Sequence, residues 1–428
     1  MVNHSLECQG LETLWRENIR VIYFSGPGDI VGTFRFWGKG ISDPRQQSIT
    51  YSGQFYNVCK NIGCQLIAIS RDIKKDSHLQ GKIEAINRHT WWINQKGIRL
   101  QIGYFLRGLY IFYACAKYRP QIIFVADGNT FWFMLLPLKL VGIKVTPVLH
   151  CTFWPQKLPV SMYQRILLLL ARPLFRSFAH AILSVSSDIT QQINHIRHIE
   201  PNHEEALPPI LEFLPSYHAA AADFQAPCIG NGSFNILFAS RIEANKGIYE
   251  LISIAKKLKS QQLDIQLHVA GDGTDSAKFN ELVDELGLIG IIKNHGYCDK
   301  SRMASLIESS HAFLVPTTSQ FVEGFNKVCL EGVLAGRPVI ASSACPAINY
   351  LGAAAVIVEP DDTDGYFNAI LQLYSDGELY RRKVDAALGY RQVFLQDNWS
   401  FETAVKEVIT SLRPDKHEVT SRTVFINR

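Results

Sequence analysis

No apolar run in this chain is long enough to cross a bilayer. The closest approach, Ile166–Ala171, is stopped by Arg172 and Pro173, far short of the roughly 17–25 residues a spanning helix needs. The N-terminus, M-V-N-H-S-L-E-C-Q-G-L-E, lacks the charged-then-apolar order of a secretory signal. Nine cysteines are present, yet none stand as C-x-x-C and their spacing is irregular, which suits thiols in a reducing compartment. No dense Arg/Lys run or recognised nucleic-acid motif occurs, so no nucleic-acid partner is expected. The expected location is therefore cytoplasmic.

What is present describes a globular protein too long for one domain: 428 residues, 47% apolar and 19% charged. Its net charge of +4 hides an asymmetry. Lys+Arg minus Asp+Glu gives 23 − 14 = +9 over residues 1–215 and 20 − 25 = −5 over the remainder, and six of seven tryptophans lie in the first part. A basic, aromatic half suits an anionic or amphipathic partner. It motivates the expectation of a peripheral enzyme that touches an anionic membrane on its cytoplasmic face.

Strand-like runs alternate with helical ones, which implies βαβ units and parallel sheets. The first half opens with the apolar run Val21–Phe24 and a glycine-bearing loop (Gly26, Gly28, Gly32, Gly38, Gly40). A helix is expected over about Gln46–Ile62, and the basic block Arg71–Arg99 yields no element. Further strands end on Asp127 and on His150, and an apolar helix is expected over Tyr163–Phe178. Its Arg165, Arg172 and Arg176 read as a snorkelling surface face, with a lipid contact as the alternative. Residues 201–233 carry five prolines and an alanine run, so they read as a linker. Alternation then restarts at Phe234–Ala239, and Arg413–Arg428 reads as a frayed tail. The division expected is 1–215 and 216–395, with 396–428 as a C-terminal helix and tail.

The stretch Val315–Ala341 gathers the chemistry. It reads as strand, glycine-bearing loop and a helix over about Asn326–Ala335 that is apolar on nearly all sides, with Glu331 in its middle. A carboxylate there needs a partner. Glu323 stands beside Gly324, just before the helix, where free backbone N–H groups suit a phosphate. Alternatively, Glu323 is a solvated loop residue and Glu331 pairs with Lys327 one turn earlier. Upstream, Arg241 and Lys246 follow the first strand of the second half, and two cations there suit a pyrophosphate. An exposed Arg241–Glu243 ion pair is the alternative. Gly271-Asp272-Gly273 closes the next strand, and His295-Gly296-Tyr297 follows the third. Asp362-Thr363-Asp364 spells D-x-D but sits in a polar turn and reads as a loop, not a metal site.

In order and spacing, the set R-x4-K, G-D-G, H-G-Y, E-x7-E and L-A-G-R-P-V-I-A-S over residues 234–375 resembles the retaining glycosyltransferases of family 4 (glycosyl transferases group 1). The resemblance implies the GT-B fold, two Rossmann-like α/β domains with parallel sheets facing across a cleft. It implies hexosyl transfer, with retention and without a metal or cofactor, from a UDP- or GDP-linked sugar to a glycan or lipid-linked acceptor in polysaccharide or glycolipid biosynthesis. Arg241 and Lys246 would bind the diphosphate, Glu323 and the backbone at Gly324, Phe325 and Asn326 the sugar and distal phosphate, and Glu331 the ribose. Gly271 and Tyr297 would complete the donor site. In the first half, His150 resembles the position that touches the sugar, and Gly28 and Asp127 fall on the acceptor side. Asn326-Lys327 and Gly332 depart from the family pattern. A nicotinamide-dependent oxidoreductase is the weaker alternative: Gly26-Pro27-Gly28 follows a strand, but the third glycine comes late and no acid closes the second strand at Ser70. A non-catalytic scaffold on the same fold, or a sugar-nucleotide epimerase or hydrolase, remains open.

Overall fold

The computed structural model describes residues 19–46, 48–92, 95, 97–126, 131–198, 207–217, 224, 227, 232–413 and 419–424. The chain divides into two compact units. One comprises Met1–Phe153, Val160–Leu214 and Asp397–Val424, the other Trp154–Pro159, Pro215–Gln396 and Phe425–Arg428.

The first unit is built on an eight-stranded sheet. In chain order its elements are β1 (Arg20–Pro27), α1 (Ile30–Gly38), α2 (Tyr51–Ile62), β2 (Gln65–Asp72), β3 (Asp76–Gln80), β4 (Ile83–His89), α3 (Gly97–Tyr118), β5 (Ile122–Val125), a 3-10 segment (Trp132–Val141), β6 (Lys144–Leu149), α4 (Met162–Pro173), β7 (Ile182–Ser184), α5 (Ser187–Arg197) and β8 (Ile210–Glu212). The strand order is β3-β4-β2-β1-β5-β6-β7-β8. All neighbours are parallel except β3 and β4. Apolar residues of β1, β2 and β5 form its buried centre. That pattern suits a sheet covered on both faces.

The second unit carries a six-stranded, wholly parallel sheet in the order β11-β10-β9-β12-β13-β14. Its elements are β9 (Phe234–Ala239), α6 (Ile248–Ser260), β10 (Ile265–Ala270), α7 (Ser276–Glu285), β11 (Ile292–Asn294), α8 (Lys300–Ser309), β12 (Ala312–Val315), α9 (Lys327–Leu334), β13 (Val339–Ser342), β14 (Ala355–Val358), α10 (Thr363–Ser375) and α11 (Gly377–Leu395). A last helix, α12 (Phe401–Thr410), belongs to the first unit. There Phe401 meets the rings of Tyr51 and Phe55, and Asn57 donates to Glu402.

Several expectations are corrected. The glycine loop after β1 contains α1: Asp29 caps it by accepting from the Gly32 N–H at 2.7 Å. Gly32 and Gly38 lie within this helix, and a Cβ at either would strike the Asp29 or Gln80 side chain. The unassigned block Arg71–Arg99 holds the edge pair β3–β4 and the start of α3. The expected helix Tyr163–Phe178 ends at Pro173 and continues as a π-type turn, Leu174–Phe178. The stretch read as a linker contains β8, and part of the tail pairs with it: the Arg422 N–H donates to the Ile210 carbonyl at 2.9 Å, and the Arg422 carbonyl accepts from the Glu212 N–H at 3.0 Å. Of Arg165, Arg172 and Arg176, only Arg165 is fully exposed; the other two donate to the Arg197 carbonyl, each at 3.4 Å.

Candidate active site

In the second sheet β9 has β10 on one side and β12 on the other, so the chain reverses its direction of winding between β9 and β12. Loops leaving the carboxyl ends of two such strands diverge and leave room for a ligand. Here they are also drawn together. Gly247 has φ +84°, and a Cβ on it would lie 2.0 Å from the Pro316 carbonyl oxygen. Any other residue would push the β9 and β12 loops apart. Thr318 donates through both N–H and Oγ1 to the Asn245 carbonyl, at 3.2 and 3.3 Å.

That contact sets two charges face to face. Lys246 Nζ lies 2.8 Å from Glu323 Oε2, with the two side chains only 10% and 11% exposed. The same ammonium sits 3.8 Å over the Phe321 ring. Asn326 Nδ2 donates to Glu323 Oε2 at 3.3 Å, while its Oδ1 caps α9 by accepting from the Val328 N–H at 3.1 Å. Gly324 and Phe325 are buried between these residues, and Phe325 packs on Tyr350 with ring centroids 5.4 Å apart. Glu323 is therefore no solvated loop residue. Arg241 leaves β9 five residues before Lys246; it is 59% exposed and pairs with Glu243 at 2.7 Å.

Glu331 lies one turn inside α9. Burial pushes its carboxyl up to about 7, against the opposing pull of the Lys327 charge and a hydrogen bond from Tyr217. Burial lowers the Lys327 ammonium in turn. The first turn of α9 holds no acid and does hold Lys327, a cation where the helix dipole disfavours one. An anion beside that turn would relieve both. The arrangement offers a phosphate a buried ammonium, an exposed guanidinium and a helix start, with a carboxylate on either side.

Residues 221–388 match the family described as glycosyl transferases group 1. Curated relatives include the D-inositol 3-phosphate glycosyltransferase of Arthrobacter sp., 24% identical over 248 residues, 54% of this chain and 57% of the relative. Another is the lipopolysaccharide core biosynthesis glycosyltransferase LpsD of Rhizobium meliloti, 29% identical over 170 residues, 39% of this chain and 46% of the relative. The chain thus spans about half the length of these relatives. Among solved structures, the sucrose-phosphate synthase of Thermosynechococcus elongatus superposes with a TM-score of 0.69 at 15% identity, covering 92% of this chain and 99% of that one. HepE of Anabaena, in complex with UDP, gives 0.61 at 13% identity, with 92% and 99% covered. The fold is GT-B.

Within the group 1 segment the remaining expected residues line the carboxyl edge of the sheet. Gly271 has φ +150°, and a Cβ there would lie 1.9 Å from the Ser240 carbonyl oxygen. Its N–H donates to the Gly296 carbonyl at 2.8 Å. The loops after β9, β10 and β11 are tied side by side in this way, and the next residue, Tyr297, is 73% exposed. The departure at Gly332 has a packing cause: a Cβ would meet Val339 Cγ2 at 2.8 Å and Phe313 at 3.1 Å. Asp362 of the D-x-D triplet caps α10 by accepting from the Gly365 N–H at 2.9 Å, and Asp364 pairs with Lys257. Among the described residues no group of His, Cys, Asp and Glu has metal-holding geometry.

In the first unit, His150 follows β6 and stacks on Tyr51, centroids 4.5 Å apart, beside Phe213 and Phe401. Gly28 follows β1 with φ +139°, open space where a Cβ would stand, and its N–H bonded to the Arg71 carbonyl at 2.9 Å. Asp127 lies outside the described residues. Sequence reasoning missed Tyr217, whose hydroxyl reaches Glu331 and donates to the Lys327 carbonyl at 3.4 Å. It also missed Asn245 Oδ1 and Thr317 Oγ1, buried atoms on the two apposed loops with no hydrogen-bond partner among the described residues. Only their adjacency to Lys246 and Pro316 in the chain hinted at them.

Proposed function

We propose that this chain is a retaining glycosyltransferase, moving a hexosyl group from a UDP- or GDP-linked sugar to a hydroxyl of a glycan or lipid-linked acceptor. The observation that carries the reading is the buried Lys246–Glu323 pair at the start of α9, on the reversal point of the parallel sheet. Lys246 and Arg241 take the diphosphate, aided by the N–H groups of the first turn of α9. Glu323 and the backbone of Gly324–Asn326 orient the sugar, and Glu331 accepts from the ribose hydroxyls. Gly271 and Tyr297 border the nucleoside. His150 and Gly28, with Asp127, are assigned to the sugar and acceptor side of the first unit.

In the reaction the bond from the anomeric carbon to the β-phosphate oxygen breaks, and the diphosphate leaves with the electron pair. The acceptor oxygen bonds to that carbon on the same face, and its proton passes to the departing phosphate oxygen. Lys246 serves transition state more than ground state, because charge grows on the oxygen it faces. The relative named for lipopolysaccharide core biosynthesis supports a glycan or lipid-linked hydroxyl as the acceptor class.

The test is a panel of nucleoside diphosphates and their sugars, read by thermal shift and then by product analysis. At least one stabilises the wild type, and Lys246→Ala loses most of that shift. Transfer or donor turnover by the variant falls by about 100- to 1,000-fold, the usual cost of one preorganised charge donor. Free sugar released without any acceptor-dependent product would instead indicate a hydrolase, and ligand binding without turnover a non-catalytic scaffold. If no sugar nucleotide shifts the wild type, the reading fails.

A further inference from the structure

Two helices of the first unit are built inside out. On α3 the inward positions include Gly103 and Gly108, where a Cβ would strike Trp92 and Met134. Ile111 is buried with them, but five large apolar residues point the other way: Ile98, Ile102, Phe105, Leu109 and Tyr113, each 47–77% exposed, recur every three or four residues as one stripe. On α4 only Ala171 is buried, while Met162, Tyr163, Ile166, Leu169 and Leu170 are 47–73% exposed. Tyr163 Oη bonds Gln101 Oε1 at 2.8 Å, so the two helices are neighbours. Even the inner residues Leu167 and Leu168 border a cavity of about 350 Å³. Scattered surface leucines need no explanation, but ten large apolar side chains on two adjoining helices form a contiguous patch of the kind that marks a binding surface.

Charge selects the occupant. Between Glu84 and Asp188 the sequence holds twelve Lys and Arg and a single acid, Asp127. Arg99, Lys117, Lys139, Lys144 and Arg165 of that stretch are exposed. Leu140 and Val141, 89% and 69% exposed, extend the apolar surface from the end of the 3-10 segment beside Lys139. Apolar residues facing out among cations, with almost no acid to repel a negative surface, match an interface that lies on lipid rather than spans it. No described helix is long and apolar enough to cross a membrane. We infer that the outer face of α3 and α4 docks on a bilayer containing anionic lipid, with Ile166, Leu169 and Leu170 entering the headgroup–acyl boundary. This goes beyond sugar transfer and does not depend on it.

The test is sedimentation of the full chain with vesicles of phosphatidylcholine, with or without about 30 mol% phosphatidylglycerol, at about 0.05 and 0.5 M NaCl. The wild type pellets with the anionic vesicles at low salt at least about tenfold better than with phosphatidylcholine alone. The triple variant Ile166→Ser/Leu169→Ser/Leu170→Ser, its fold checked by circular dichroism and by an unchanged melting temperature, loses about tenfold in that partition. Wild type that stays in the supernatant overturns the proposal, as does a triple variant that binds equally well. A lipid-free dimer abolished by the same substitutions would also overturn it, because the face would then belong to a second copy.

Discussion

Two helices of similar apolar character meet opposite fates. In α9, K-V-C-L-E-G-V-L, the residues Cys329, Leu330, Gly332, Val333 and Leu334 are buried; in α4, M-Y-Q-R-I-L-L-L-L-A-R-P, Ala171 alone is. α9 is the crossover between adjacent parallel strands β12 and β13, so it lies on their side chains, near enough that position 332 accepts only glycine without repacking. At its end Arg337, fully buried, donates to the carbonyls of Ser310 and Ala335 at 2.7 and 2.6 Å and closes the C-termini of α8 and α9 together. α4 has a capping box at Ser161 and Gln164 that fixes where it starts, yet its outer residues Met162, Ile166 and Leu169 stay more than half exposed among the described residues. An apolar helix reports that cover is wanted; only topology says whether the same chain supplies it.

The largest expected effect follows directly. Leu334→Ala should cost about 2–5 kcal/mol of unfolding free energy, because it removes a fully buried side chain from a packed crossover. Leu169→Ala, at 62% exposure, should change stability by less than about 0.5 kcal/mol. Urea unfolding of the two variants measures the contrast. Equal losses would mean that α4 is covered in solution after all. A smaller effect sharpens the same point from the opposite direction. Gly332→Ala should destabilise by about 1–3 kcal/mol through overpacking against Val339 and Phe313. Adding Val339→Ala should recover part of that loss, a coupling that two independent sites would not show.

What could be read from the chain followed the same logic. The second sheet was legible because all of its strands but β12 have a glycine close by; Lys246 and Glu323 stood out in the loops after β9 and β12, and Glu331 as a carboxylate inside an apolar helix. Local signals failed where pairing is not local. β8 is three residues long and is completed from two hundred residues away by Arg422, so no period announces it. α1 was hidden by its own Gly32 and Gly38, whose purpose is close packing against Asp29 and Gln80. Tyr217 lay in a proline-rich stretch that has no helical or strand period, although its hydroxyl reaches the carboxylate that the pattern had singled out. Composition did register the charge asymmetry of the first half, but the outward turn of α3 and α4 is set by the fold, since a stripe of apolar residues ordinarily marks the core side.

The smallest expected effect is a pH dependence centred on α9. With the Glu331 carboxyl raised from its ordinary 4.5 to about 7, the folded protein holds a proton that the unfolded chain releases. That contribution to stability is complete below the unfolded value and is lost as pH rises through about 7. The melting temperature should therefore fall between these limits more steeply in the wild type than in Glu331→Gln. Nucleotide affinity should run in the opposite sense. A carboxylate that accepts from two ribose hydroxyls must shed its proton, so binding strengthens as pH rises through about 7 and releases a fraction of a proton. Tyr217→Phe removes a hydrogen bond that favours the ionised form, and should move both midpoints upward. Calorimetric titration of a nucleoside diphosphate in buffers of different ionisation enthalpy reads that proton directly. Proton release that persists unchanged in Glu331→Gln would assign it to the phosphate and leave α9 with a structural carboxylate alone.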